Sequence, residues 1–146
     1  FTLSDSFVVE RHRADLDRLL GEGAIDILFA NEAEALSLTG AGDFESAVRA
    51  IAERVPTAVV TRSEQGAVAV RGEHRAFVAA EPIERLVDTT GAGDLFAAGF
   101  LTGEARGLGL DASLRLGAIA AAEVIQHYGA RPEADLRALA GDLLPA

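Results

Sequence analysis

Apolar residues change their spacing several times along the chain, and each change predicts an element. From Ser4 to Leu20 the residues Phe7, Val8, Leu16, Leu19 and Leu20 supply one apolar side of a helix, with Ser4 or Asp5 able to cap it. Gly21-Glu22-Gly23 ends that helix. The nearly continuous apolar run Ile25 to Ala30 suits a buried parallel strand, and Asn31 begins a short helix to Leu38. After the turn Gly40-Ala41-Gly42, Phe44 to Glu53 reads as a helix that stops near Pro56, and Thr57 to Thr61 as a second buried strand. Ala67–Arg71 and Arg75–Ala79 flank Gly72-Glu73-His74 and predict a hairpin. Ile83 to Val87 alternates roughly and predicts another strand. Three helices follow, over 94–106, 112–128 and 132–144. No repeat or linker divides the chain, so the pattern predicts one α/β layer system with a parallel core and helices on its faces.

Between the alternating run and the first of those three helices lies Asp88-Thr89-Thr90-Gly91-Ala92-Gly93-Asp94. A helix N-terminus has unpaired N–H groups and the positive end of the macrodipole, and glycines let an anion approach that backbone closely. Asp94 then stands where a bound anion would repel it, a placement that suits taking a proton from a hydroxyl as it attacks phosphorus. A capping aspartate behind a glycine turn is the competing reading, and on the loop alone it is the commoner one. The chain has no lysine, so a phosphate loop ending in Gly-Lys-Ser/Thr is excluded for this segment. A dinucleotide fingerprint would want a third glycine where Phe96 stands.

Composition narrows the partners. The chain has 146 residues, 49% of them hydrophobic, which is enough for a real core. Its 23 acidic and 13 basic residues leave a formal charge of −10, which argues against general binding to nucleic acid or an anionic membrane. There is no cysteine, hence no disulfide, thiolate metal site or cysteine nucleophile, and His12, His74 and His127 lack metal-ligand spacing. No signal-peptide pattern or spanning apolar run is present, so the expected location is the cytoplasm. With no methionine and an opening in mid-pattern, the chain reads as cut from something longer.

The turn resembles the signature of the ribokinase-like (PfkB) carbohydrate and nucleoside kinases. Three more segments resemble that family's motifs in the expected order: Asn31-Glu32-Ala33-Glu34 its Asn-x-x-Glu, Thr61-Arg62-Ser63-Glu64-Gln65-Gly66 its Thr-x-Gly-x-x-Gly, and Gly129-Ala130-Arg131-Pro132 its Gly-Ala-x-Pro. Phe1-Thr2-Leu3-Ser4 and residues 26–32 look most like adenosine kinases. The resemblance implies a three-layer, Rossmann-like α/β fold with a mostly parallel sheet and a hairpin. It implies that residues 1–146 are the C-terminal, ATP-binding part of one kinase domain, without the half that builds the substrate pocket and lid.

The resemblance also implies roles. Asp94 would be the base, with the N–H groups of Gly91, Ala92 and Gly93 as the anion hole. Asn31 and Glu34 would act on magnesium through its waters, and a solvated surface glutamate is the plainer reading of Glu34. Thr61, Ser63, Gly66 and Ala118 would line the nucleotide. Ser63 replaces the family's usual glycine, which implies a differently shaped turn, and Ala118 replaces a frequent asparagine or histidine, which implies apolar or backbone recognition of the base. Small side chains from Gly117 to Ala122 allow close approach of another helix or of a flat ligand, with helix packing the plainer reading. Asp88, Thr90 and Gly129 fall where many members hold a monovalent cation such as potassium; an aspartate closing a strand for structural reasons is the competing reading. The expected activity is transfer of phosphate from magnesium-ATP to a nucleoside or sugar hydroxyl, first the 5′-hydroxyl of adenosine, with ribose or fructose as alternatives. A nucleotide-binding fragment without turnover, a fold-keeping scaffold, and self-association through an open strand edge into a homodimer are the further readings.

Overall fold

The computed structural model describes residues 1–144. They form two compact units, one of Phe1–Ser63 with Val68–Arg75, the other of Glu64–Ala67 with the chain from Ala76 onward.

The first unit opens with two short helices, α1 (Ser6–Arg11) and α2 (Arg13–Gly21), where the pattern predicts one. Asp5, not Ser4, is the cap, accepting from the Phe7 N–H at 2.6 Å. The break falls at His12, whose backbone leaves the helical region (φ −116°, ψ 23°). Next to it the Arg13 guanidinium donates to the Leu38 carbonyl at 2.8 Å and to the Ser37 carbonyl. Those carbonyls close α3 (Glu32–Thr39), so a cation sits at the negative end of that helix. A tertiary contact thus interrupts a helix that local pattern would continue.

Strands β1 (Ile27–Asn31) and β2 (Thr57–Thr61) pair in parallel, Ile27 opposite Thr57 and Asn31 opposite Thr61, with α4 (Phe44–Ala52) in the crossover. Leu28–Ala30 of β1 and Thr57–Val60 of β2 are buried, which is why the strands read as apolar runs. Leu28, Val60, Val9, Ala35, Val48 and Ile51 join in one core. β3 (Ala67–Arg71) and β4 (His74–Val78) follow, joined by Gly72-Glu73, and the strands bond in the order β1-β2-β3-β4. A two-residue connection makes the last pair antiparallel, so the sheet is mixed. The outer edge of β1 is met by the first residues: Thr2 bridges Phe29, and the Leu3 N–H donates to the Phe29 carbonyl at 3.1 Å.

In the second unit the predicted strand Ile83–Val87 is absent. Its donors are taken elsewhere: Val87 N–H by the Ile125 carbonyl at 2.8 Å, and Glu84 N–H by Gln126 Oε1 at 2.9 Å. The segment is therefore strapped to the end of a helix, with Leu86 left 63% exposed. That helix is α6 (Leu110–Val124), which packs against α5 (Ala92–Ala105). α6 stops short of the predicted Tyr128. The predicted last helix over 132–144 shrinks to α7 (Leu136–Ala140) and a short 3₁₀ turn. The N–H groups of Glu133 and Ala134 go to Glu123, and Asp135 then caps α7, so the helix cannot start earlier.

α5 and α6 approach backbone to backbone. A methyl added at Gly99 would lie 2.4 Å from the Leu116 carbonyl oxygen, and one at Gly103 would lie 2.6 Å from Ser113 Cα. Gly117 faces Phe96 in the same way. Gly117 of α6 thus serves packing. Alanine gains about 1 kcal/mol over glycine in a helix interior, but here its methyl must displace a backbone. Gly99→Ala is expected to lower stability by about 2 kcal/mol or more, read as a drop in the urea midpoint; an unchanged midpoint would mean that the helices are free to part.

Candidate active site

Gly91 is the N-cap of α5 and takes a left-handed conformation (φ 79°, ψ 0°), which turns the chain sharply into the helix. A side chain there is excluded twice over, since a methyl would also lie 2.5 Å from Ala130 Cβ. The Ala92 N–H is already given to the Thr89 carbonyl at 3.1 Å, so of the predicted anion-hole donors Ala92 serves to shape the turn. The helix itself has no acceptor for the N–H groups of Gly93 and Asp94 in its first turn. A methyl added at Gly93 would meet nothing within 4 Å, so the backbone there is open to an approaching group. Asp94 follows on the same turn with its side chain exposed.

Asp88, Thr90 and Gly129 are brought together. Asp88 Oδ1 accepts from the Thr90 N–H at 2.9 Å and the Thr90 hydroxyl at 2.6 Å, and Oδ2 accepts from the Gly129 N–H at 3.0 Å. These donors, the Thr90 hydroxyl first, hold the Asp88 carboxyl below its ordinary value. Asp88 is thus a structural clasp between the turn and the segment after α6.

Sequence reasoning missed Glu123. It sits in the last turn of α6, only 8% exposed, and its Oε1 accepts from the N–H groups of Glu133 and Ala134, both at 2.8 Å. His127 Nε2 lies 3.1 Å from the same oxygen. Burial pushes this carboxyl up, but the Ala134 and Glu133 amides and the His127 ring outweigh it and leave it below the ordinary value. The available signal was the Glu123/His127 pair at i, i+4 beside an apolar stripe.

In the first unit, Asn31 ends β1 and caps α3. Its Oδ1 accepts from the Glu34 N–H, and Glu34 Oε2 accepts from the Asn31 N–H, both at 2.9 Å, a reciprocal capping box. Asn31 Nδ2 also donates to Glu34 Oε1 at 2.9 Å. Glu34 is 5% exposed, which overturns the plain reading of a solvated surface residue. Burial raises its pKa, partly offset by the Asn31 N–H. Thr61 closes β2, and Ser63 just beyond it adopts φ 48°. Serine there takes up a left-handed angle that glycine would favour. In the second unit, Gly66 has φ 90° and a methyl there would lie 2.0 Å from the Val78 carbonyl oxygen, so its role includes close packing on β4. Ala118 is buried within α6. Among the described residues there is no cluster of three or more His, Asp or Glu side chains able to hold a metal directly, and no helix is long and apolar enough to cross a membrane.

Residues 4–136 match the pfkB family carbohydrate kinase description. A cytidine kinase of Thermococcus kodakarensis is 44% identical over 108 residues, covering 72% of this chain and 38% of its own length. The crystal structure of an adenosine kinase from Sinorhizobium meliloti superposes with a TM-score of 0.89 at 48% identity, over 92% of this chain and 41% of that one. A putative ribokinase II from E. coli, in complex with ATP and Mg²⁺, gives a TM-score of 0.74 at 27% identity, over 92% of this chain and 43% of that one. The chain therefore spans about two fifths of the length of these relatives, and its fold is the ribokinase-like α/β fold.

Two outcomes follow from this geometry. A non-glycine residue in the left-handed region costs about 1–2 kcal/mol, more than the added flexibility of an unfolded glycine, so Ser63→Gly is expected to raise stability by about 0.5–1 kcal/mol in a denaturant titration. Glu123 has a lowered folded pKa, so its contribution is present above the ordinary glutamate value and is lost as pH falls through the folded one. The gap in denaturation midpoint between wild type and Glu123→Gln should be wide at about pH 7 and narrow as pH falls below the ordinary glutamate range; a gap that stays constant would assign the effect to packing alone.

Proposed function

The chain belongs to the pfkB family of carbohydrate kinases, and we propose that the protein containing it moves the γ-phosphoryl group of ATP to a hydroxyl of a nucleoside or sugar. The observation that carries this reading is Asp94, an exposed carboxylate on the helix turn where Gly93 and Asp94 present their N–H groups and Gly91 bends the backbone back. An aspartate serving only as a cap would sit before the helix, as Asp5, Asp43 and Asp135 do here. Asp94 sits two residues inside it.

In the proposed reaction Asp94 takes the proton of the acceptor hydroxyl. The hydroxyl oxygen bonds to the γ-phosphorus, the bond from that phosphorus to the β–γ bridging oxygen breaks, and ADP departs with the electron pair. Charge on the transferring group rests on oxygens that the N–H groups of Gly91, Gly93 and Asp94 can reach, fixed dipoles that need no reorganisation. Ala92, its N–H bound by Thr89, keeps the turn in register.

Magnesium, when bound, would neutralise charge on the phosphates. Asn31 and Glu34 fit it as hard-oxygen residues acting through its waters, since every oxygen between them already accepts from a protein donor. A monovalent cation such as potassium would draw on the one lone pair left on Asp88 Oδ2 and on carbonyls near Thr90 and Gly129. Thr61, Ser63, Gly66 and Ala118 are each proposed as nucleotide-binding residues, with Ala118 offering the base an apolar contact.

Adenosine is the proposed acceptor, supported by the likeness to the Sinorhizobium meliloti adenosine kinase; the likeness to a cytidine kinase makes another nucleoside the second reading. The test is product formation from labelled ATP with adenosine, cytidine, ribose and fructose, using the full-length protein. Labelled sugar phosphate or CMP without labelled AMP would replace the adenosine reading. The 146-residue chain alone is expected to turn over little substrate, and robust activity would show that it holds a complete cleft. Asp94→Asn keeps size and helix position while removing the base, and should cut kcat about 10²-fold or more. An unchanged rate would assign the proton to another group.

A further inference from the structure

Glu123 is costly where it stands. A carboxylate in the last turn of α6 faces the negative end of that helix's macrodipole, and this one is 92% buried. Its Oε2 has no hydrogen-bond partner among the described residues. What offsets the cost is that Oε1 gathers the Glu133 and Ala134 amides and the His127 ring. The Gly129–Ala134 segment is thereby pinned at both ends, since Asp88 Oδ2 holds the Gly129 N–H at 3.0 Å. Between the pins lies Ala130, close enough to Gly91 that a methyl on the glycine would overlap it at 2.5 Å. The segment is a backstop for the residue that bends the chain into α5.

We propose that Glu123 is a positioning residue that, by tying down Glu133 and Ala134, presses Ala130 against Gly91 and so keeps the Gly91–Asp94 turn in the shape that phosphoryl transfer requires. The inference rests on the kinase reading for its consequence in rate, but not for its consequence in structure. Glu123 touches neither substrate nor reacting atoms; it acts through the segment it holds. Loss of the side chain frees Ala130 to withdraw, and the N–H groups of Gly93 and Asp94 lose their common direction. Glutamine keeps one oxygen that can accept from both amides, so it preserves the tie while removing the charge.

The experiment compares Glu123→Ala, Glu123→Gln and Ala130→Gly with wild type in the full-length protein, by amide hydrogen exchange and by steady-state kinetics well below each variant's melting temperature. Glu123→Ala is expected to speed exchange at Ala92 and Leu95 at least tenfold and to lower kcat at least tenfold, with KM for ATP within threefold. Glu123→Gln should stay within about threefold of wild type in kcat. Ala130→Gly removes the pressing methyl and leaves Glu123 in place; it should speed exchange at Ala92 as well, and it decides the matter should Glu123→Ala not fold. Faster exchange confined to Glu133 and Ala134, or an unchanged kcat in Glu123→Ala, would overturn the proposal. Should wild type move phosphate to no acceptor, the kinase reading falls, and exchange at Ala92 alone decides whether Glu123 positions the turn.

Discussion

The direct approach of α5 and α6 is the constraint on which the second unit depends. Gly99, Gly103 and Gly117 remove the side chains that would hold the two helices apart, so carbonyl and Cα atoms of one helix meet the other. Such contact leaves little freedom for α5 to slide or rotate. The position of its first turn is therefore set by packing further along the same helix, before any ligand arrives. Phe96, buried and lying against Gly117, strengthens that registration.

Where burial alone decides an element, the letters were legible. β1 and β2 carry apolar runs because their middle residues are buried, and β2 runs from Thr57 to Thr61 as its letters predict. The hairpin was legible because Gly72-Glu73 leaves so few ways to join two runs. Elements whose fate rests on distant polar partners were not. Nothing local in Ile83–Val87 shows that its N–H groups belong to the end of α6, and nothing near His12 shows that Arg13 is wanted at the carbonyls of α3. The same holds for the last helix, shortened because Glu123 claims two of its amides from ten and eleven residues away.

The candidate site divides along the same line. Turns that need glycine show themselves in sequence, so the Gly91–Asp94 corner could be singled out from the letters, and the Asn31/Glu34 pair only through its resemblance to a family motif. What the sequence could not display is how far these residues are already committed to the fold. Glu34 completes a capping box, and Asp88 clasps the chain across 41 residues. Each carries a structural duty alongside any duty toward a ligand. A loss of activity on substituting either would report on both at once, whereas Asp94, exposed on its helix, is free of that ambiguity.

Gly91 and Gly93 look interchangeable as letters, yet the space around them differs. The first is hemmed in by Ala130 and bent into a left-handed angle, so the fold itself demands it; the second has ordinary helical geometry and an empty hemisphere beyond it. Tolerance at the two positions therefore reports on different things. Intolerance at 91 speaks of architecture, whereas intolerance at 93 speaks of something beyond these residues that comes up to the open backbone.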